Sequence, residues 1–143
     1  MAGQGTKRRV LLIDNEPDIT TTLQVGLAEG GDFDVDAFTD PLSALKFFRP
    51  NFYDLALIDI VMPELDGFEL YERLKKIDPD IKVCFLTASE MYHPEFREVE
   101  HRGFNEDLFL QKPISAGVLV REINKKINST RSAIEGSNTD SIR

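Results

Sequence analysis

Two runs of consecutive apolar residues, Val10–Ile13 and Leu55–Ile58, and a third interrupted only by Lys82, Ile81–Leu86, punctuate the chain. A strand that is apolar at every position is buried on both faces, as in the middle of a parallel sheet. Between these runs the apolar period changes. Ile19, Leu23 and Leu27 recur in steps of four and predict a helix over 17–29, stopped by Gly30-Gly31. Asn15 can cap that helix, with Asp18 three residues later as the capping-box partner. Phe33, Val35 and Ala37 alternate with Asp34 and Asp36, which predicts a half-exposed strand at a sheet edge. Asp40-Pro41 reads as an N-cap followed by Pro at the first helical position, and the helix it opens carries Leu42, Leu45 and Phe48 to Pro50. Phe68, Tyr71, Leu74 and Ile77 predict a further helix, ended by Asp78-Pro79. Tyr92, Phe96 and Val99 suggest a helix within 90–105 that begins near His93. Leu108–Leu110 is a short last strand, and Leu119, Ile123 and Ile127 mark a final helix.

Strands and helices thus alternate in five β-α units. The pattern predicts an α/β domain with a five-stranded parallel sheet, doubly wound, with five helices on its two faces and right-handed crossovers. Ligands in such folds sit at the carboxyl ends of the strands. The domain is expected over 9–128. Residues 1–8, Gly-rich and basic, read as a flexible N-terminus, and the polar stretch 129–143 reads as a disordered tail.

Composition narrows the function. The length of 143 residues suits one domain, and 41% hydrophobic residues, ten Phe among them, can fill its core. The net charge of −8 lacks the basic surface that phosphate-backbone binding needs, so no nucleic-acid role is expected. The single cysteine, Cys84, lies in an apolar run and reads as a small core residue; no intrachain disulfide can form, which fits a reducing compartment. No signal-like apolar segment opens the chain, and no run is long enough to span a membrane, so a cytoplasmic protein is expected. His93 and His101 read as surface residues and not metal ligands.

The ends of the strands carry the chemistry. Asp14 ends the first strand, Asp59 the third, Thr87 the fourth and Lys112 the fifth. In a parallel sheet those positions share one edge of one layer. Two neighbouring carboxylates repel, and one tends to keep its proton unless a cation intervenes. Mg²⁺ prefers oxygen ligands and commonly uses one or two carboxylates. Lys112 offers a compact positive charge to a phosphoryl oxygen, and Thr87 offers a hydroxyl. Such a set suits phosphoryl transfer, with the remaining carboxylate as nucleophile.

The segments VLLIDNEPDI, LALIDIVMPELDGFEL, VCFLTAS and FLQKPI resemble the four signature segments of the response-regulator receiver domain of two-component signalling. The resemblance covers 9–128 and includes the single-domain, chemotaxis-type regulators. It implies the flavodoxin-like strand order 2-1-3-4-5. It also implies that Asp59 is the phosphoacceptor, that Asp14, Asp59 and the Val61 backbone carbonyl bind Mg²⁺ with Asn15 as a further possible ligand, and that Thr87 and Lys112 contact the phosphoryl group. Phe109 matches the aromatic position whose rotamer the family couples to that Thr, and Lys112-Pro113 matches a peptide the family holds cis. The implied partners are a sensor histidine kinase or histidine phosphotransfer protein, a downstream protein on the face made by the fourth helix, last strand and final helix, and in some members a second copy of the chain. The implied behaviour is that of an autocatalytic phosphoacceptor and not of an enzyme turning over an external substrate.

Two features depart from the family pattern. Asn15 stands where a second acid is usual, so Asp14, Asp59 and Lys112 total −1, where three acids would give −2; weaker Mg²⁺ binding is expected, unless Glu16 turns inward and compensates. Glu16 otherwise reads as a solvated first-turn acid. The step of 25 residues from Thr87 to Lys112 is also longer than usual, which points to unusual partner choice. An unphosphorylated pseudo-receiver is the alternative function; Asp59, Thr87 and Lys112 count against it. A phosphatase of the haloacid dehalogenase type needs a second Asp two residues after the nucleophile, where this chain has Val61. The chain ends soon after the final helix, which suits either a stand-alone regulator or a piece of a longer protein.

Overall fold

The continuous apolar runs form the inner strands of a sheet, and the four-residue periodicities form the helices that cover it. The computed structural model describes residues 7–30, 32–87 and 108–128. Within them the elements are β1 (Arg8–Ile13), α1 (Pro17–Gly30), β2 (Phe33–Phe38), α2 (Pro41–Phe47), β3 (Leu55–Asp59), α3 (Gly67–Ile77), β4 (Val83–Thr87), β5 (Phe109–Gln111) and α4 (116–128). The strands are all parallel, in the order β2-β1-β3-β4-β5. The helix expected within 90–105, both histidines, and the terminal stretches 1–6 and 129–143 lie outside the described residues.

Period-2 geometry divides each apolar run between two cores. Leu11, Ile13, Ile58 and Phe85 face α2 and α3, in a layer rich in aromatic rings. Val10, Leu12, Leu57, Cys84 and Leu86 face the other way, where Leu23 and Leu27 of α1 and Leu119, Ile123 and Ile127 of α4 close an aliphatic layer. The edge strand β2 buries Phe33 and leaves Asp34 and Asp36 exposed, as its alternation predicts. Asp40 caps α2 as expected: its carboxylate accepts the Leu42 and Ser43 N–H groups at 3.4 and 3.2 Å.

Several local expectations shift. Leu42 is 45% exposed, because the short α2 turns Pro41 and Ala44 inward instead and the chain reaches the core again at Phe48. On α3, Ile77 is 41% exposed in the last turn, while Leu70, outside the expected spacing, is fully buried. Asn15 does not occupy the cap position of α1. Pro17 is the first helical residue, so the residue before it is Glu16. The last strand runs one residue later than expected, and β4 starts at Val83, after the buried Ile81.

Candidate functional site

The parallel register brings the carboxyl ends of β1, β3, β4 and β5 to one edge. Asp14 follows directly on β1, Asp59 closes β3, Thr87 closes β4 and Lys112 follows β5. The backbone N–H of Lys112 donates to the Thr87 carbonyl at 2.7 Å, which ties the ends of β4 and β5 together. Asp14, Asp59, Thr87 and Lys112 are the strand-end polar residues of the sequence reading, and all four are buried.

Lys112 joins the acids. Its Nζ lies 3.0 Å from Asp14 Oδ2, 3.0 Å from Glu16 Oε1 and 3.6 Å from Asp59 Oδ2. Burial works against the ammonium charge, but the hydrogen bonds to Asp14 and Glu16 and the charges of Asp59 and Asp14 outweigh it, so Lys112 holds its proton more firmly than usual. Asp14 is well provided for. Its Oδ1 accepts the Glu16 N–H at 3.0 Å, its Oδ2 accepts from Lys112, and its backbone N–H donates to the Phe38 carbonyl at 3.1 Å. Asp59 is less so. Burial first and the neighbouring Asp14 charge second push its carboxyl up to about 7; Lys112 and the Val61 N–H pull the other way without prevailing. The sequence argument that one of the two carboxylates would tend to keep a proton therefore falls on Asp59.

Position 59 is set by close backbone packing. The N–H of Gly67, first residue of α3, donates to the Ile60 carbonyl at 2.8 Å. A Cβ at Gly67 would lie 2.5 Å from the Asp59 carbonyl oxygen and 2.8 Å from Ile60 Cα, so only glycine allows this approach. Asp66 fixes the same helix end with a capping box: it accepts the Glu69 N–H at 2.9 Å, and Glu69 accepts the Asp66 N–H at 3.4 Å.

The remaining residues of the reading are placed as follows. Asn15 is half-buried in the turn beside Asp14, and Val61, just past Asp59, is 54% exposed. The Lys112–Pro113 peptide is cis. Phe109 packs inward, its ring stacked on Phe85 with centroids 5.2 Å apart and edge-on to Phe68 at 6.4 Å. The residue that sequence reasoning underweighted is Glu16. It is not merely a solvated first-turn acid, since its carboxylate reaches the buried ammonium of Lys112. The only signal in the sequence is an acid two places after a strand-end Asp, and its side-chain torsions decide whether it points to the site or to water.

The donors suit a hard divalent cation. Two buried carboxylates, Asp14 and Asp59, stand together there as oxygen donors, with Asn15 next to one in the chain and Val61 two residues past the other. Burial is the first cause of the raised proton affinity of Asp59 and the Asp14 charge the second, and a cation would offset both by favouring the ionised carboxylate. Among the described residues, no group of three or more His, Cys, Asp or Glu side chains is arranged to hold a metal, so carbonyl or amide oxygens must complete the set.

Comparison with known proteins agrees with this geometry. The family described as "Response regulator receiver domain" matches residues 10–124. The response regulator receiver protein CpdR of Brucella abortus is 34% identical over 122 residues, covering 84% of this chain and 97% of CpdR. The transcriptional regulatory protein PrrA of Mycobacterium tuberculosis is 31% identical over 96% of this chain, which spans 57% of PrrA's length. Among solved structures, a response regulator receiver domain protein from Clostridium thermocellum superposes with a TM-score of 0.73 at 27% identity, covering 88% of this chain and 98% of that one. With a family match over most of its length, a parallel sheet ordered 2-1-3-4-5 and acids gathered at its carboxyl edge, the chain belongs to the response-regulator receiver domain family.

Proposed function

We propose that residues 9–128 form a phosphorylation-dependent switch whose phosphoacceptor is Asp59. A carboxylate oxygen of Asp59 attacks the phosphorus of a phosphohistidine in line. The P–N bond breaks, the imidazole takes the electron pair and a proton, and an aspartyl phosphate remains. Mg²⁺, held by Asp14, Asp59, the Val61 carbonyl and the Asn15 amide oxygen, would supply charge neutralisation for the transferring group. Lys112 neutralises phosphoryl charge from the other side, and the Thr87 hydroxyl donates to the group once it is attached. Receiver domains as a family interact with histidine kinases and downstream effectors. Here the donor is read as a sensor histidine kinase or a histidine phosphotransfer protein. The output is a change in affinity of the face carrying β5 and α4 for a protein partner, which for some receivers is a second copy of the chain. No helix among the described residues is long and apolar enough to cross a membrane, and the reading assigns the switch to the cytoplasm.

The observation that carries this reading is the inequality of the two buried acids. Each Asp14 carboxylate oxygen accepts a hydrogen bond at 3.0 Å, whereas Asp59, which also takes the Val61 N–H, lies 3.6 Å from Lys112 and has its proton affinity raised by burial first and the Asp14 charge second. We read Asp59, the acid held less firmly by Lys112, as the nucleophile. Phosphoramidate, a small P–N donor, provides the test. With Mg²⁺ present, ³¹P NMR should reveal an acyl-phosphate resonance that disappears when EDTA is added. No such resonance at saturating donor and Mg²⁺, with acyl-phosphate donors failing as well, would favour an unphosphorylated pseudo-receiver.

A further inference from the structure

We propose that Glu16 is the positioning residue for Lys112, and that it returns to the site the negative charge that Asn15 lacks. The inference rests on the phosphoacceptor reading and deepens it. Lys112 has a side chain only 6% exposed, so its ammonium needs close partners. It takes hydrogen bonds to two carboxylates, Asp14 and Glu16, both at 3.0 Å and both from the turn after β1. Asp59 is third, at 3.6 Å. The ammonium is thereby drawn toward the β1–α1 turn and away from the acid that must react.

This arrangement has an electrostatic consequence. Asp14, Asp59 and Lys112 alone total −1. Glu16 brings the connected group to −2, the total that a second acid at position 15 would have given. Glu16 supplies this charge through its contact with the ammonium, with no metal bond of its own required. An unneutralised Lys112 beside Asp59 would repel a divalent cation; a Lys112 paired with Glu16 repels it less. The Glu16 side chain is 55% exposed, so it can exchange Lys112 for water at small cost when an incoming phosphoryl group attracts the ammonium. The two demands, holding Lys112 before transfer and releasing it afterwards, are met by one partly solvated carboxylate.

The test is calorimetric titration with Mg²⁺ of the native chain, Glu16→Gln, and Glu16→Gln combined with Asn15→Asp. Coulomb energies at partial exposure predict about three- to tenfold weaker Mg²⁺ binding in Glu16→Gln, with the double variant restored at least to native affinity. A change below about twofold in Glu16→Gln overturns the proposal, as does a double variant that stays as weak as Glu16→Gln. A second readout needs no metal. The Lys112 ammonium ¹⁵N resonance in the metal-free chain should move in Glu16→Gln, and an unmoved resonance would also overturn it. Phosphorylation of the native chain is measured separately. A native chain that stays unmodified, with the Mg²⁺ differences intact, refutes the phosphoacceptor reading alone; a phosphorylated chain with unchanged Mg²⁺ affinity refutes only the role of Glu16.

Discussion

The turn after β1 and the end of β3 each deliver one buried aspartate to the same edge of the sheet, yet they treat it in opposite ways. At β1, Asp14 is surrounded by donors: the Glu16 N–H, the Lys112 ammonium and, on its backbone carbonyl, the Thr20 hydroxyl at 2.8 Å. At β3, Asp59 is packed tightly through its backbone, against Gly67, while its carboxylate takes the Val61 N–H and has Lys112 at the longer distance of 3.6 Å. One acid is bound closely by the ammonium and the other is positioned beside it. The same residue type is thus tied to Lys112 by a hydrogen bond in one place and by a longer ion pair in the other, and the proposed function assigns the reaction to the second.

The largest expected effect breaks the positioning of Asp59. Gly67→Ala places a Cβ against the Asp59 and Ile60 backbones, which cannot give way as a flexible side chain would. It should cost about 3 kcal/mol in urea unfolding. An effect under about 1 kcal/mol would mean that the α3–β3 contact is looser than the geometry implies.

Next comes the charge itself. In the fold the Asp59 carboxyl holds its proton up to about pH 7, whereas in the unfolded chain it ionises near pH 4. The folded state therefore binds more protons between those values, and this group's contribution to stability declines as pH rises from about 4 to about 7. Asp59→Asn removes the penalty. It should stabilise the metal-free protein by about 1–3 kcal/mol at pH 8 and by close to nothing at pH 4. A constant difference across that range would contradict the assignment. Asp14→Asn sharpens the same point, since the Asp14 charge is the second cause of the shift. It should lower the proton affinity of Asp59 by about tenfold, as read from carboxyl ¹³C titration.

The smallest effect compares the two helix starts. Asp66→Ala removes a working capping box and should cost about 1 kcal/mol, whereas Asn15→Ala, outside the cap position of α1, should cost under about 0.5 kcal/mol in the metal-free protein. Equal costs would restore Asn15 as a cap.

Much of this was legible in the sequence because burial on both faces leaves an unbroken apolar run, and the first polar residue after such a run marks the strand's end. Asp14, Asp59 and Thr87 are found that way, Lys112 lies one residue past the polar Gln111 that ends the last strand, and the strand order follows from family resemblance. The facing of α2 was not legible. Leu42 and Ala44 lie on a helix too short for periodicity to fix its inward side, and the smaller residue took the core. Leu70 was missed because a ladder in steps of three drifts off the buried stripe of α3, which takes Leu70 and Leu74, four apart, and leaves Ile77 exposed. For Glu16 the sequence raises the inward turn only as a condition, because its role depends on side-chain torsions and on a lysine 96 residues away.

The central claim is that Asp59 takes a phosphoryl group. Intact-protein mass spectrometry tests it most directly, with the native chain and Asp59→Asn each incubated with Mg²⁺ and an acyl-phosphate donor. The account predicts one added phosphoryl group on the native chain, absent from Asp59→Asn and from an EDTA-treated sample. Equal addition to native and Asp59→Asn chains, or none to the native chain with either acyl-phosphate or P–N donors, would contradict it.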